Sequence, residues 1–238
     1  MKRLSAIIIG MVALFSHAQQ SYPEDFFDYP LDTRVSFTGK APTITDFLVS
    51  FLNQDETSEV MGSLDDAWKH YVLGESQDPC VLFVVDEKNG YLRHTEDSQL
   101  CEGLEDDEYD EDSNVKSYIE MCYWNCADGK HKLLAENCIT IIDGWYALTE
   151  YSGISFFIYD NDSHKLFPVS EEDIGAYIEP ELDESATDTG KTLTTFENEA
   201  IVVYWLPQQG KDINVEIVSG TKRVEARLVW DGMRFKRQ

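Results

Sequence analysis

The chain predicts an α+β, β-rich fold, with two N-terminal helices followed by a largely antiparallel sheet, curled or split into two layers and built from hairpins. Three observations carry this. Apolar residues recur at helical intervals between positions 43 and 74, and alternation of period two takes over after Pro79. Asn-Gly or Asp-Gly turns at 89, 128, 143 and 231 then separate successive runs, and their irregular spacing argues against a propeller or solenoid.

Taken in order, the first 18 residues read as a secretory signal peptide. Lys2 and Arg3 form a basic start, Ala6 to Phe15 is apolar throughout, and Ser16-His17-Ala18 presents small residues to a signal peptidase. A helix of about 12 residues spans only ~18 Å of a ~30 Å hydrocarbon core, so this segment does not predict an anchor. No cysteine stands at the cleavage point for lipidation. The expectation is an exported soluble chain, periplasmic or extracellular, that begins at Gln19, is not a lipoprotein and does not insert in a membrane.

Residues 19–238 are expected to form a single β-rich domain. Ile44, Phe47, Leu48, Phe51 and Leu52 make one apolar stripe behind Thr43 as cap, predicting a helix over 43–54. Ser63 with Asp66 reads as the opening of a second helix carrying Leu64, Trp68, Tyr71 and Val72, with Gly74 as its stop. Hairpins follow over 81–93, 118–135, 139–148 and 154–169, and a short helical signal returns at 170–178. The closing strands are 201–206, then Ile213, Val215 and Ile217 alternating with polar residues, then Val224, Ala226, Leu228 and Trp230 doing the same, so that these last two have one buried and one wet face.

The chain carries 19 Lys and Arg against 45 Asp and Glu, a formal charge of −26, and loss of Lys2 and Arg3 makes the mature chain more acidic still. Such a charge repels phosphate backbones, so nucleic acid is not an expected partner. From Glu96 to Asp112, ten of 17 residues are acidic, predicting an exposed loop at about 96–114, and 179–191 reads as a second acidic connection. Lys211 to Gln238 carries seven basic and four acidic residues, and this basic end is expected to lie against acidic surface elsewhere on the molecule.

Signatures of zinc proteases, serine hydrolases and dinucleotide binding are absent, and no catalytic residue or cofactor is assigned. Gly190-Lys191-Thr192 ends like a phosphate-binding loop, but Ser185 stands where its first glycine belongs. Asp160, Asp162 and Glu171 fit part of a calcium-loop spacing, with Lys165 in the glycine position; a hairpin turn explains them better. Cys80, Cys101, Cys122, Cys126 and Cys138 fall within 59 residues, offering one or two disulfides and at least one thiol left over. A zinc set from Cys122, Cys126, His131 and Cys138 lacks a compact Cys-x2-Cys pair, which favours buried or bridged cysteines. Among aromatics, Trp124, Trp145 and Trp205 stand in strands with a wet face and are the candidates for ligand stacking, against core packing as the plainer alternative.

Val85-Asp86-Glu87-Lys88-Asn89-Gly90-Tyr91-Leu92, Ala127-Asp128-Gly129-Lys130-His131-Lys132-Leu133-Leu134-Ala135 and Val229-Trp230-Asp231-Gly232-Met233-Arg234-Phe235, with the leader, resemble small exported proteins of unknown function from gut Bacteroidetes. The resemblance is one of whole-chain style. It implies a periplasmic or cell-surface role in a glycan-rich habitat and brings no catalytic residues. The sequence is therefore read as an exported, non-catalytic binding or interaction protein whose ligand is protein or glycan. Alternatives are an extracellular hydrolase of a polymer working through carboxylates, and a calcium-stabilised structural protein.

Overall fold

The computed structural model describes residues 34–53, 59–75, 79–101, 114–149, 152–194, 196 and 199–238. The signal-peptide segment, Tyr109 and most of the first acidic stretch lie outside the described residues, as does the Cys101 side chain. Two helices, α1 (Ile44–Leu52) and α2 (Glu59–Leu73), precede twelve strands. The first sheet contains β1 (Val81–Asp86), β2 (Tyr91–Asp97), β3 (Val115–Asn125), β4 (His131–Ile142), β5 (Trp145–Ala147), β6 (Gly153–Asp160) and β7 (Lys165–Val169). It runs β1-β2-β3-β4-β6-β7, and β5 pairs with the far half of β4. The second contains β8 (Thr187–Asp188), β9 (Ile201–Trp205), β10 (Ile213–Ser219), β11 (Lys222–Trp230) and β12 (Phe235–Arg237), in the order β12-β11-β10-β9 with β8 beside β11. Every pairing within them is antiparallel, so the fold is α+β and β-rich.

Period-two alternation in β3 and β4 divides the apolar residues between two cores. Ile119, Met121 and Leu134 point toward Phe47, Leu48 and Leu64 of the helices, while Cys122, Trp124, Leu133 and Ala135 meet Tyr204, Val215, Leu228 and Phe235 of the second sheet. The helices, first sheet and second sheet therefore form three layers. Strand β9 closes the second sheet and is covered on both faces, Val202 and Tyr204 on one side and Ile201 and Val203 on the other.

Local chemistry accounts for the elements that match expectation. Thr43 and Asp46 form a capping box on α1, with the Thr43 N–H donating to the Asp46 carboxylate at 2.8 Å. Gly90 ends the first turn at φ +65°, and a Cβ there would lie 2.6 Å from the Tyr123 ring, so only glycine lets that ring cover the turn.

Other elements differ from the sequence reading. Helix α2 starts at Glu59 and not at Ser63, because Leu64 and Ala67 pack in the helix-side core and this packing outweighs the weak propensity of Gly62. Tyr71 and Val72, assigned to its apolar side, are 45% and 60% exposed. Glu96 and Asp97, expected to open the acidic loop, end β2 instead, where Asp97 sits opposite Lys116 and pairs with it at 2.7 Å. The runs 131–135 and 139–142 are one strand, since the polar Asn137 between them is itself buried and paired. Residues 170–178 form no helix: Gly175 turns at φ +69° and Ile174, Ala176 and Ile178 enter the core at period two. The ion pairs described for the basic end are internal to it, Arg223 to Glu216 and Glu225, Arg227 to Asp212, and Lys236 to Asp231, and the second acidic stretch lies alongside it as expected, with Asp188 opposite Lys222 and the Arg237 charge acting on Asp183.

Candidate functional site

The candidate site lies on the face of the second sheet that carries Asn214, Glu216, Glu225 and Arg227, with Trp205 half-buried at its edge. The register sets Trp205 opposite Asn214 and Asn214 opposite Arg227, so one residue from each of β9, β10 and β11 forms a row on a single face. Gln238 extends it, exchanging backbone hydrogen bonds with Arg227 and accepting from the Arg227 guanidinium at 3.2 Å. One step along, Glu216 stands directly opposite Glu225. These residues line an open groove of ≈ 640 Å³ together with Val215 and Ala226.

Two like charges placed opposite one another across a ladder repel. Arg223, two residues before Glu225, answers both, reaching Glu216 at 3.3 Å and Glu225 at 3.1 Å. The other Glu216 oxygen accepts the Trp205 indole N–H at 3.1 Å. Aromatic residues of the first sheet stand against Trp205 and Glu216. The Tyr118 ring meets Trp205 edge-on, 5.5 Å between centroids and 74° between planes, and burial together with the Glu216 carboxylate pushes the Tyr146 phenol upward. The indole is thus fixed by a hydrogen bond at its nitrogen and by an aromatic edge before any ligand arrives.

Beneath the groove lies a buried polar network. Glu120, 2% exposed, accepts from the Tyr91 hydroxyl at 2.7 Å, the Leu206 N–H at 3.0 Å and the Asn137 amide at 3.5 Å. Asn137 also donates to the Tyr204 carbonyl at 2.8 Å. Two outward backbone groups of the β9 end are thereby satisfied by side chains of the first sheet, which is why strand residues as polar as Glu120 and Asn137 are tolerated there. Burial raises the Glu120 pKa despite those hydrogen bonds and the nearby Arg93 charge. Its arrangement is that of a structural joint.

The three tryptophans separate. Trp124 is 3% exposed, donates its indole N–H to the Lys211 carbonyl at 2.9 Å and packs against Trp230 and Phe235, so it is core. Trp145 is 40% exposed in β5 and does not line the groove; Trp205 does. The calcium candidates are committed elsewhere. Asp160 accepts from the Asp162 and Ser163 N–H groups of its own turn, and Glu171 accepts from the Tyr204 hydroxyl at 3.0 Å. No group of three or more His, Cys, Asp or Glu among the described residues is placed to hold a metal. Cys80 is disulfide-bonded, whereas Cys122, Cys126 and Cys138 are not in disulfides. Burial pushes the Cys138 thiol up to about 11, with the Glu136 and Glu96 charges adding to it.

Sequence reading missed Asn214, Glu216, Arg223, Glu225 and Arg227. Alternation in β10 and β11 already assigns them to the wet face, but only the turn at 220–221, which sets Glu216 against Glu225, assembles them. Glu120 and Asn137 carried a fainter signal, polar side chains within apolar strands. Comparison with protein-family models, curated proteins and solved structures returns no match to this chain.

Proposed function

We propose that the chain is an exported, non-catalytic binding protein that holds its ligand, protein or glycan, in the groove on the outer face of the second sheet. The observation that carries this is the pre-set Trp205 ring, flanked by Asn214, Glu216 and Arg227 in an open concavity of ligand size. A ring locked before binding loses little freedom on contact, so stacking on the part of Trp205 that borders the groove carries low entropic cost.

A polymer hydrolase is the second reading, favoured by one feature. Side chains directly opposite in an antiparallel pair have Cβ atoms about 4.5–5.5 Å apart, and Glu216 and Glu225 are so placed. Retaining glycosidases need two carboxyls about 5–5.5 Å apart, a separation that side chains on neighbouring strands can reach. Arg223 argues for binding, because it holds one oxygen of each carboxylate while Trp205 holds the other oxygen of Glu216, an arrangement that fixes the pair as ionised.

The test is a thermal-melt panel of the exported chain against plant and host polysaccharides, peptidoglycan fragments and mucin, with every mixture assayed for cleavage products. Ligand at 100 times its Kd adds about 2.7 kcal/mol, a visible shift. A shift without products, lost in Trp205→Ala, supports the binding protein. Products abolished by Glu225→Gln promote the hydrolase. No shift and no products with any of them removes the groove from consideration.

A further inference from the structure

We infer that the groove takes a neutral oligosaccharide, a reading that rests on the binding function proposed above and specifies its ligand class.

The charges in and beside the groove are paired with one another. Arg223 is held between Glu216 and Glu225, and Arg227 lies 3.6 Å from Asp212 and within hydrogen-bond reach of Gln238. Three carboxylates against two guanidiniums leave no cationic surplus for an anionic ligand, which would also approach against a chain of formal charge −26. A basic peptide would be drawn by that field but would meet the Arg223 and Arg227 guanidiniums at the groove. An apolar peptide would find little to cover, since the Trp205 ring is the only apolar side chain among the lining residues on that face; the Val215 and Ala226 side chains turn into the core.

The remaining chemistry is that of a pyranose. Such a ring has an apolar C–H face that stacks on an indole and a rim of hydroxyls that both donate and accept. The Asn214 and Gln238 amides, the Glu225 carboxylate and the Arg227 guanidinium are planar two-point partners that suit adjacent hydroxyls. The row from Trp205 on β9 to Gln238 beside β11 crosses three interstrand steps, about 14 Å at the usual sheet spacing. That accommodates a short oligosaccharide and not only one sugar.

The closing experiment is titration calorimetry on the full chain expressed with its own leader. The probes are neutral hexasaccharides (cello-, xylo-, manno- and malto-), galacturonate hexamer and hexalysine. The result expected is saturable binding of at least one neutral hexasaccharide, changed less than about twofold between 50 and 500 mM salt because no net charge is paired on binding. Trp205→Ala and the surface change Asn214→Ala should each weaken it at least tenfold, the second guarding against a folding defect in the first. Binding of galacturonate or hexalysine in the same Asn214-dependent manner, with the neutral probes silent, overturns the ligand class and leaves the binding function standing. Silence of every probe overturns the ligand class; the wider polysaccharide and mucin panel then decides the binding function separately.

Discussion

Replacing Glu120 by alanine removes the acceptor shared by the Tyr91 hydroxyl, the Leu206 N–H and the Asn137 amide. Asn137 keeps its bond to the Tyr204 carbonyl, so two buried donors are stranded outright. A buried donor left without a partner costs about 1–3 kcal/mol, which puts Glu120→Ala at about 2–6 kcal/mol of lost stability. Glu120→Gln retains an acceptor oxygen for Leu206 and presents an amide that can donate to the Tyr91 oxygen, so it should lose far less. The pH dependence separates the two further. Burial raises the Glu120 pKa in the folded chain. Its contribution is therefore fully present below the ordinary glutamate value of about 4.3 and declines as pH rises through the higher folded value. Glu120→Gln carries no such slope, and its stability relative to the parent chain should improve between pH 5 and pH 8. Urea unfolding at both pH values measures each quantity. A Glu120→Ala loss below 1 kcal/mol, or a Glu120→Gln loss equal to it at both pH values, refutes the joint.

Other outcomes follow from the same coordinates. Gly175→Ala forces a side chain into φ +69° with its Cβ 2.5 Å from the Phe235 carbonyl oxygen, and should lower stability by more than about 2 kcal/mol in a thermal melt, since a backbone atom cannot move aside cheaply. Asp128 is lifted by burial but lowered more by the His131 ring, at 2.6 Å, and by the Lys130 and His131 N–H groups, so its folded pKa lies below the usual value. Its contribution is present above the unfolded value of about 3.9 and is lost as pH falls through the folded one; Asp128→Asn should cost about 1–3 kcal/mol at pH 7 and flatten the acid limb of the unfolding curve. Alkylation in denaturant without reductant should label Cys122, Cys126 and Cys138 and spare Cys80, which becomes reactive once reductant is added. Without denaturant, Cys122 and Cys126 should react slowly because both are buried.

Much of this architecture was legible in local chemistry. The α1 stripe behind Thr43, the Asn89-Gly90 turn and the alternation of Ile213, Val215 and Ile217 are each decided within a few residues by periodicity, capping or positive φ, and each stands where expected. Elements whose local preference is weak went to tertiary packing. The Gly62 region became helix, and Glu171 to Gly175 became a turn that sends Ile174, Ala176 and Ile178 into the core.

The groove belongs to the second category. Alternation assigned Asn214, Glu216 and Arg227 to a wet face, but Trp205 and Trp124 stand in runs without it, and nothing local separated them. Burial of Trp124 against Trp230 and Phe235, and retention of Trp205 beside the groove, depend on how the second sheet docks on the first. That docking rests on Glu120 and Asn137 meeting the β9 backbone from positions more than 60 residues away. Period and turn chemistry act between neighbours and so are written along the chain; strand register and sheet docking join distant residues through packing and buried hydrogen bonds, and only the folded structure selects among the many pairings the sequence permits.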